Sequence, residues 1–285
     1  MTSLKGRTLF ITGGSRGIGL AVALKCASEG ANIAIAAKTV EPHPKLEGTI
    51  HTAAELIAKT GGRVLALACD IRDEAQVEKA VANTVRHFGG IDICVNNASA
   101  IALTGTLDTP MKRYDLMHAV NGRGTYMVSK YCLPHLLRSP APHILMIAPP
   151  LALKPEWFGP YLAYASAKYA MSLVVLGLAE EFRGRVAVNA LWPRTMIATA
   201  AIRNIVGGED MMRRARKPEI VADAAHRIFL KPRSFTGNFL IDDNFLAAEG
   251  VRDFSQYRVD PSRDLAQDFF VPQTPAPPEP LNALT

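Results

Sequence analysis

The chain has 285 residues, 48% of them apolar and 20% charged, with a net charge of +6. That balance excludes collagen, coiled coil and bulk disorder, and it leaves ample sequence for one large core. The basic residues are scattered, with Arg213, Arg214, Arg216 and Lys217 the only tight group, so no nucleic-acid partner is expected.

Cys26, Cys69, Cys94 and Cys132 lie far apart; they read as reduced, mostly buried thiols, with neither a disulfide framework nor a metal site. The seven histidines show no ligand spacing either. The N-terminus lacks a leader's basic-then-apolar pattern, and no apolar run approaches the roughly 18 residues of a membrane span. A cytoplasmic protein without a membrane span is therefore the expectation.

Short runs rich in β-formers alternate with segments of helical period, and the pattern predicts elements in this order. Strands at 8–12, 32–37, 64–68 and 91–96 are separated by helices at 18–28, 53–59 and 74–88. A long helix around 114–137, a strand at 143–147, a helix at 161–182, a strand at 186–191, a helix at 219–230 and a last strand at 238–241 follow. Parallel strands need crossovers of about a dozen residues or more, so the spacing predicts an α/β fold. Its form is a single doubly wound parallel sheet of about seven strands with helices on both faces. Residues 1–250 make up this unit. From Asp260 onward Pro261, Pro272, Pro275, Pro277, Pro278 and Pro280 rule out a second core. Residues 251–285 read as a Pro-rich C-terminal arm and tail, in which Phe269, Phe270 and Val271 either dock the arm or merely interrupt a linker.

Thr12-Gly13-Gly14-Ser15-Arg16-Gly17-Ile18-Gly19 follows the first strand and opens a helix. Gly13 permits the tight turn, while Gly17 and Gly19 let backbone amides and the helix dipole approach a pyrophosphate. The second strand ends in Lys38-Thr39, and the first acid beyond it is Glu41. A ribose 2′-hydroxyl needs a carboxylate there and a 2′-phosphate needs cations. Lys38 and Arg16 therefore favour NADP(H).

Tyr164 and Lys168 stand four residues apart on a predicted helix, which stacks phenol and ammonium on one side. A nearby cation favours the phenolate and makes a tyrosine useful as an acid/base. Asn96-Asn97-Ala98 follows the fourth strand, Asp70 the third, Asn121 sits in the long central helix, and Asn189 to Pro193 ends the sixth strand.

In this order and spacing the set resembles the short-chain dehydrogenase/reductase family over nearly all of residues 5–250, which implies a Rossmann-type fold and an NADP-dependent oxidoreductase. By that resemblance Tyr164 gives or takes the alcohol proton, Lys168 holds the nicotinamide ribose and lowers the Tyr164 pKa, and Asn121 breaks the helix ladder to hold a relay water. Gly13, Ser15, Arg16, Gly17, Ile18 and Gly19 match the pyrophosphate loop, Asp70 and Ile71 the adenine contact, and Asn97 and Ala98 the cofactor-side loop. Thr199 meets the carboxamide, although Arg194 stands where the family usually has Gly. The stretches 36–39, 42–46, 179–182 and 234–239 resemble one branch of the family in which the domain continues into a lipid-binding domain; this chain is read as stopping before one.

One departure matters. The family's Ser at the end of the fifth strand is absent, since the chain reads Met146-Ile147-Ala148-Pro149-Pro150. Ser99 and Thr195 are candidate replacements, and Ser166 is excluded because two residues along a helix turn it about 200° from Tyr164. Two functions stay open: an oxidoreductase acting on a carbonyl or secondary alcohol, and a cofactor-binding regulatory protein with little turnover. The segment 199–217 carries Ile202, Ile205, Val206, Met211 and Met212 with Gly207 and Gly208. It reads either as a mobile apolar cover suited to a lipid-like or steroid-like substrate, or as a core-packing helix. Family members pair through the long central helix and the Tyr164 helix, which predicts a homodimer or homotetramer built on Ala170, Leu173, Val174, Gly177 and Leu178.

Overall fold

A computed structural model describes residues 3–43, 46–273 and 275–278. Among these residues seven parallel strands form one sheet in the order β3-β2-β1-β4-β5-β6-β7. They are β1 (Thr8–Thr12), β2 (Asn32–Ala37), β3 (Arg63–Ala68), β4 (Ile93–Asn96), β5 (His143–Ile147), β6 (Ala187–Trp192) and β7 (Phe239–Ile241). The strand order reverses between β1 and β4, and the crevice at their carboxyl ends is where such a sheet takes a ligand.

The helices are α1 (Gly17–Ser28), α2 (Ile50–Lys59), α3 (Glu74–Phe88), α4 (Met111–Met117), α5 (Thr125–Leu136), α6 (Pro155–Phe158), α7 (Leu162–Glu181), α8 (Gly208–Arg213), α9 (Glu219–Phe229) and α10 (Asp242–Ala248). Their ends follow local chemistry. Asp73 caps α3 by accepting from the Gln76 amide at 3.1 Å, and Gly89, left-handed at φ 92°, ends it. Thr49 and Thr52 make a reciprocal capping box on α2.

The expected long central helix is three pieces: α4, a π-helical turn at His118–Gly124, and α5. The sequence pattern hides such a turn because it preserves helical spacing while adding one residue to a single loop of the ladder. Helix α10 and the short α6 were also not expected, each seven residues or fewer and too short for a period to show; α8 falls in the 199–217 segment, where a helix was one of the two readings.

One core layer packs α1, α2, α9 and the Tyr164 face of α7 on one side of the sheet, and the second packs α3, α5 and the other face of α7 on the opposite side. Cys26, Cys69, Cys94 and Cys132 are all free and buried. The stretch Pro155–Glu181 is long and apolar enough to cross a membrane, contrary to the expectation from composition, but 61% of its most apolar window is buried inside the fold. It is a core helix.

The arm does not trail away. Leu265, Ala266, Phe270 and Val271 are buried, and the Met196 and Ala266 amides donate to the Ala266 and Arg214 carbonyls at 2.9 and 2.8 Å. The arm thus runs back across the end of the sheet and lies over the β6 side of the crevice. The end of the Pro-rich tail, 279–285, falls outside the described residues, as do Pro44 and Lys45.

Candidate active site

The crevice has an open half and a closed half. The open half is a cavity of about 470 Å³ lined by Gly13, Ser15, Arg16, Gly17, Ile18, Lys38, Asp70, Ile71, Asn97, Ala98 and Thr199, all of them expected cofactor residues. Gly13 and Gly17 have positive φ, 66° and 54°, and a Cβ on Gly19 would sit 2.6 Å from the Gly13 carbonyl oxygen. Only glycine fits this turn. Helix α1 starts without a side-chain cap, so its first amides face the cavity without an internal partner. That is a cradle for a pyrophosphate.

Thr12 ties the cradle to the next loop, its Oγ1 accepting from the Asn97 and Ala98 amides at 3.0 and 3.1 Å. The Asn97 side chain donates to the Thr12 and Gly13 carbonyls. Thr199 reaches in from the opposite side, its methyl 3.1 Å from where a Gly17 Cβ would stand.

At the ribose end Lys38 is exposed, while the Arg16 guanidinium donates to the carbonyls of Glu47 and Gly48 at 2.7 and 2.6 Å. Asp70 is gripped by Arg72, whose Nε lies 2.9 and 3.0 Å from the two carboxylate oxygens. Those hydrogen bonds hold its pKa below the usual carboxylate range, with a further lowering from Lys38. Arg72, Arg113, Leu46 and Ile205 also line the cavity and were missed. A second arginine two residues past Asp70 is the signal that could have found Arg72.

The closed half holds the acid/base pair. Tyr164 and Lys168 are 6% and 2% exposed, and neither lines the cavity. The Lys168 ammonium donates to the Ile147 carbonyl at 2.6 Å and sits 5.0 Å over the Trp192 ring. Burial lowers its pKa to about 7. Burial, with a smaller push from the Asp268 carboxylate, raises the Tyr164 hydroxyl above its ordinary value. The expectation that Lys168 favours the phenolate is therefore not met in this closed arrangement, where desolvation dominates both groups.

Asn121 is fully buried on the π-helical turn, its side chain accepting from the Ala100 amide and donating to the Ala100 carbonyl, both at 2.9 Å. It pins the loop after β4, and the turn breaks the helix ladder as expected.

At the end of β5 no hydroxyl stands in for the missing Ser. Ala148 packs into the core layer opposite Tyr164, and the Pro149 carbonyl accepts from Ser172 at 2.7 Å. Ser99 lines the open half, Thr195 is fully buried with no partner for its Oγ1, and Ser166 bonds near His118 and Ala163.

What covers Tyr164 is the arm. The Phe270 ring lies 6.0 Å from Tyr164, 5.9 Å from Trp192 and 6.1 Å from both Trp157 and Tyr169. Trp192 Nε1 donates to the Phe269 carbonyl at 2.7 Å. Beneath the arm is a buried charge cluster that sequence reasoning did not find. Asp243 accepts from Arg194 Nε at 2.8 Å and from Arg216 at 3.0 Å, and Asp242 accepts from the Arg194 amide at 2.9 Å. All four residues are at most 1% exposed. The Arg194 carbonyl accepts from the Asp268 amide at 2.8 Å, a backbone contact any residue could make, while the guanidinium itself reaches the arm by donating to the Pro275 carbonyl at 3.4 Å.

A doubly wound sheet with a glycine cradle at its switch point and a Tyr-x-x-x-Lys pair across the crevice places the chain in the dinucleotide-binding α/β class. Residues 7–209 match the short chain dehydrogenase family, and the chain belongs to it. The narrower branch read from 234–239 and its companion stretches is that of hydroxysteroid dehydrogenase-like protein 2: the Homo sapiens protein is 58% identical over 272 residues, which is 95% of this chain and 65% of that relative. A crystal structure of a Xanthomonas campestris protein is 58% identical with a TM-score of 0.92, covering 95% of this chain and all of its own. A short chain dehydrogenase from Mycobacterium thermoresistibile is 52% identical with a TM-score of 0.91, covering 98% of each chain.

Proposed function

We propose that this chain is an NADP(H)-dependent oxidoreductase acting on an apolar carbonyl or secondary alcohol. The observation that carries the reading is the open half-site, where a glycine cradle leads to Arg16, Lys38 and Arg72 with no acid from Ala37 to Val40 at the end of β2. A pyrophosphate fits the cradle and a 2′-phosphate fits the cations.

The bound cofactor supplies or accepts the hydride. Tyr164, held neutral by burial, donates the proton to the carbonyl oxygen in reduction and takes it back in oxidation. Lys168, whose ammonium is held by the Ile147 carbonyl at 2.6 Å and whose pKa burial lowers, would hold the nicotinamide ribose when the cofactor is bound. Asn121 fixes the β4 loop against the cofactor side, and the π-helical turn frees backbone carbonyls to orient a relay water.

The test is purified protein offered NADPH or NADH with a panel of ketones and aldehydes. The expected result is turnover with NADPH bound more tightly in a fluorescence titration; equal affinity for the two cofactors overturns the cation reading. The end of β5, which lacks a hydroxyl, favours a second reading, a cofactor-binding protein with little turnover. Tight NADPH binding with no carbonyl reduced would put it first. Exposed Tyr126 on α5 and Leu173 and Leu176 on α7 support a homodimer or homotetramer, although Leu178 points into the core and takes no part. Sedimentation at micromolar concentration checks this, and a monomer rejects it.

A further inference from the structure

The arm lies where a substrate would approach Tyr164: a carbonyl served by its hydroxyl brings an organic body up beside the phenol, and the place beside that ring is taken by Phe270, itself 4% exposed. The surrounding seat is made of Trp157, Tyr161, Tyr169 and Trp192, with Phe269 5.6 Å from Tyr161. A seat walled by rings selects apolar bodies that carry rings of their own, because a rigid ring buries its area without freezing the rotors of a flexible chain. One polar group of the seat, the Trp192 N–H, donates to the Phe269 carbonyl, so the arm already presents a carbonyl oxygen to this pocket. Meanwhile Lys168 directs its ammonium to Ile147. The backbone of Phe270 is left-handed, φ 59°, the one non-glycine residue with positive φ among those described, which makes the seating local and costly rather than a relaxed packing.

We propose that the Phe269-Phe270 step of the arm is a resident occupant of the substrate site and is exchanged for a ring-bearing apolar ketone or alcohol, which makes Phe270 a specificity-determining residue. This inference rests on the reading of Tyr164 as the acid/base. A substrate then competes with the arm, and its apparent affinity is reduced by the fraction of molecules in which the seat is free. Small polar carbonyls bury too little surface to displace two phenylalanines.

The molecule carries its own reporter. Its two tryptophans, Trp157 and Trp192, both touch Phe270. The 285-residue protein saturated with NADP+ is titrated with 2-decalone, a fused two-ring ketone, and separately with pyruvate. The expected result is a saturable change in tryptophan emission with 2-decalone and none with pyruvate. Phe270→Gly, which deletes the ring and suits the backbone angle, should show the altered emission without ligand and bind 2-decalone about tenfold more tightly.

Phe270→Leu, which keeps apolar bulk in the seat, gives a smaller shift in the same direction and replaces the glycine variant should that one fail to fold. Unchanged emission at ligand saturation overturns the proposal, as does weaker 2-decalone binding in the variants, which would make Phe270 a wall of the pocket. Absence of 2-decalone binding in wild type and variants alike overturns the ligand class. Tyr164→Phe is titrated in parallel: it should keep the emission change and lose turnover. Turnover that survives this substitution sinks the acid/base reading and leaves the emission result to be judged separately.

Discussion

At the β1–β4 end of the crevice the wall is mostly backbone: glycines 13, 17 and 19, the amides that open α1, and the Asn97 loop latched to Thr12. At the β5–β7 end the wall is side chains: an aromatic seat closed by Phe270 over Tyr164, resting on Arg194, Arg216, Asp242 and Asp243. Backbone presents the same amides whatever the sequence around it, so the first end is built for a group shared by a whole family. Side chains can be exchanged one at a time, so selectivity and access collect at the second.

The largest expected effect lies at the closed end. Tyr164→Phe should cut kcat by about 10²- to 10⁴-fold, the usual loss of a positioned acid/base, while NADPH affinity stays near wild type. A matching loss of cofactor affinity would show that the two ends are not separate. Steady-state kinetics and a binding titration together decide it.

Arg194→Ala strips one partner from a buried carboxylate pair and should destabilise the fold by about 3 kcal/mol, measured by urea denaturation. If the cluster serves the arm, the variant also shows the tryptophan emission of an unseated Phe270 before it unfolds. Loss of stability without that change would make the cluster a general support for the sheet.

At the open end, Lys38→Asp should move the NADPH-to-NADH affinity ratio by about tenfold or more, since a charge-assisted bond is replaced by repulsion. An unchanged ratio reduces Lys38 to surface charge. Restoring the missing hydroxyl is subtler. β5 ends at Ile147 and the Ala148 amide turns back to the Met146 carbonyl at 3.0 Å, so Ala148→Ser and Pro149→Ser are both made, and one of them should raise the rate on a ketone several-fold. No gain from either shows that a hydroxyl at the end of β5 is not what the site lacks.

The smallest effect is in pH. Burial raises Asp268 to about 8 and Asp242 to about 7, both above their unfolded values, so each favours the fold at low pH and loses that contribution progressively from about pH 4 until pH has passed its folded value. Lys168, lowered to about 7, acts in the opposite sense, favouring the fold as pH climbs above 7. Asp268→Asn isolates one of these opposing groups: relative to wild type its Tm should gain as pH rises from 6 to 9. The groups facing Asp268 are Asp242, Lys168 and Tyr164, and a Tm difference that does not move with pH would show that it stays ionised.

The open end was nearly all legible in sequence, because glycine positions, strand ends and the lysine after β2 act through local backbone geometry that spacing encodes. The strands were legible for the same reason, and β2 and β5 run over the residues expected. The closed end was half legible. Tyr164, Lys168, Asn121 and the absent Ser could be read off, whereas their burial could not, since it depends on a segment a hundred residues further along. Asp242 and Asp243 look like ordinary acids after a strand; only the fold brings Arg194 and Arg216 to them. The Phe269-Phe270 pair left a docked arm and an interrupted linker equally open, and composition had no means of choosing between them or of saying where an arm would lie.

The left-handed backbone at Phe270 sets how evenly matched two populations are. Holding a non-glycine residue there costs about 1–2 kcal/mol, and each 1.4 kcal/mol is a factor of about ten. The molecules with a lifted arm are thus about ten times more numerous than a relaxed backbone would leave them. A segment balanced in this way answers to small additions of energy, such as one more ring on a ligand or one proton on Asp268, and converts each into a change in how many molecules expose Tyr164.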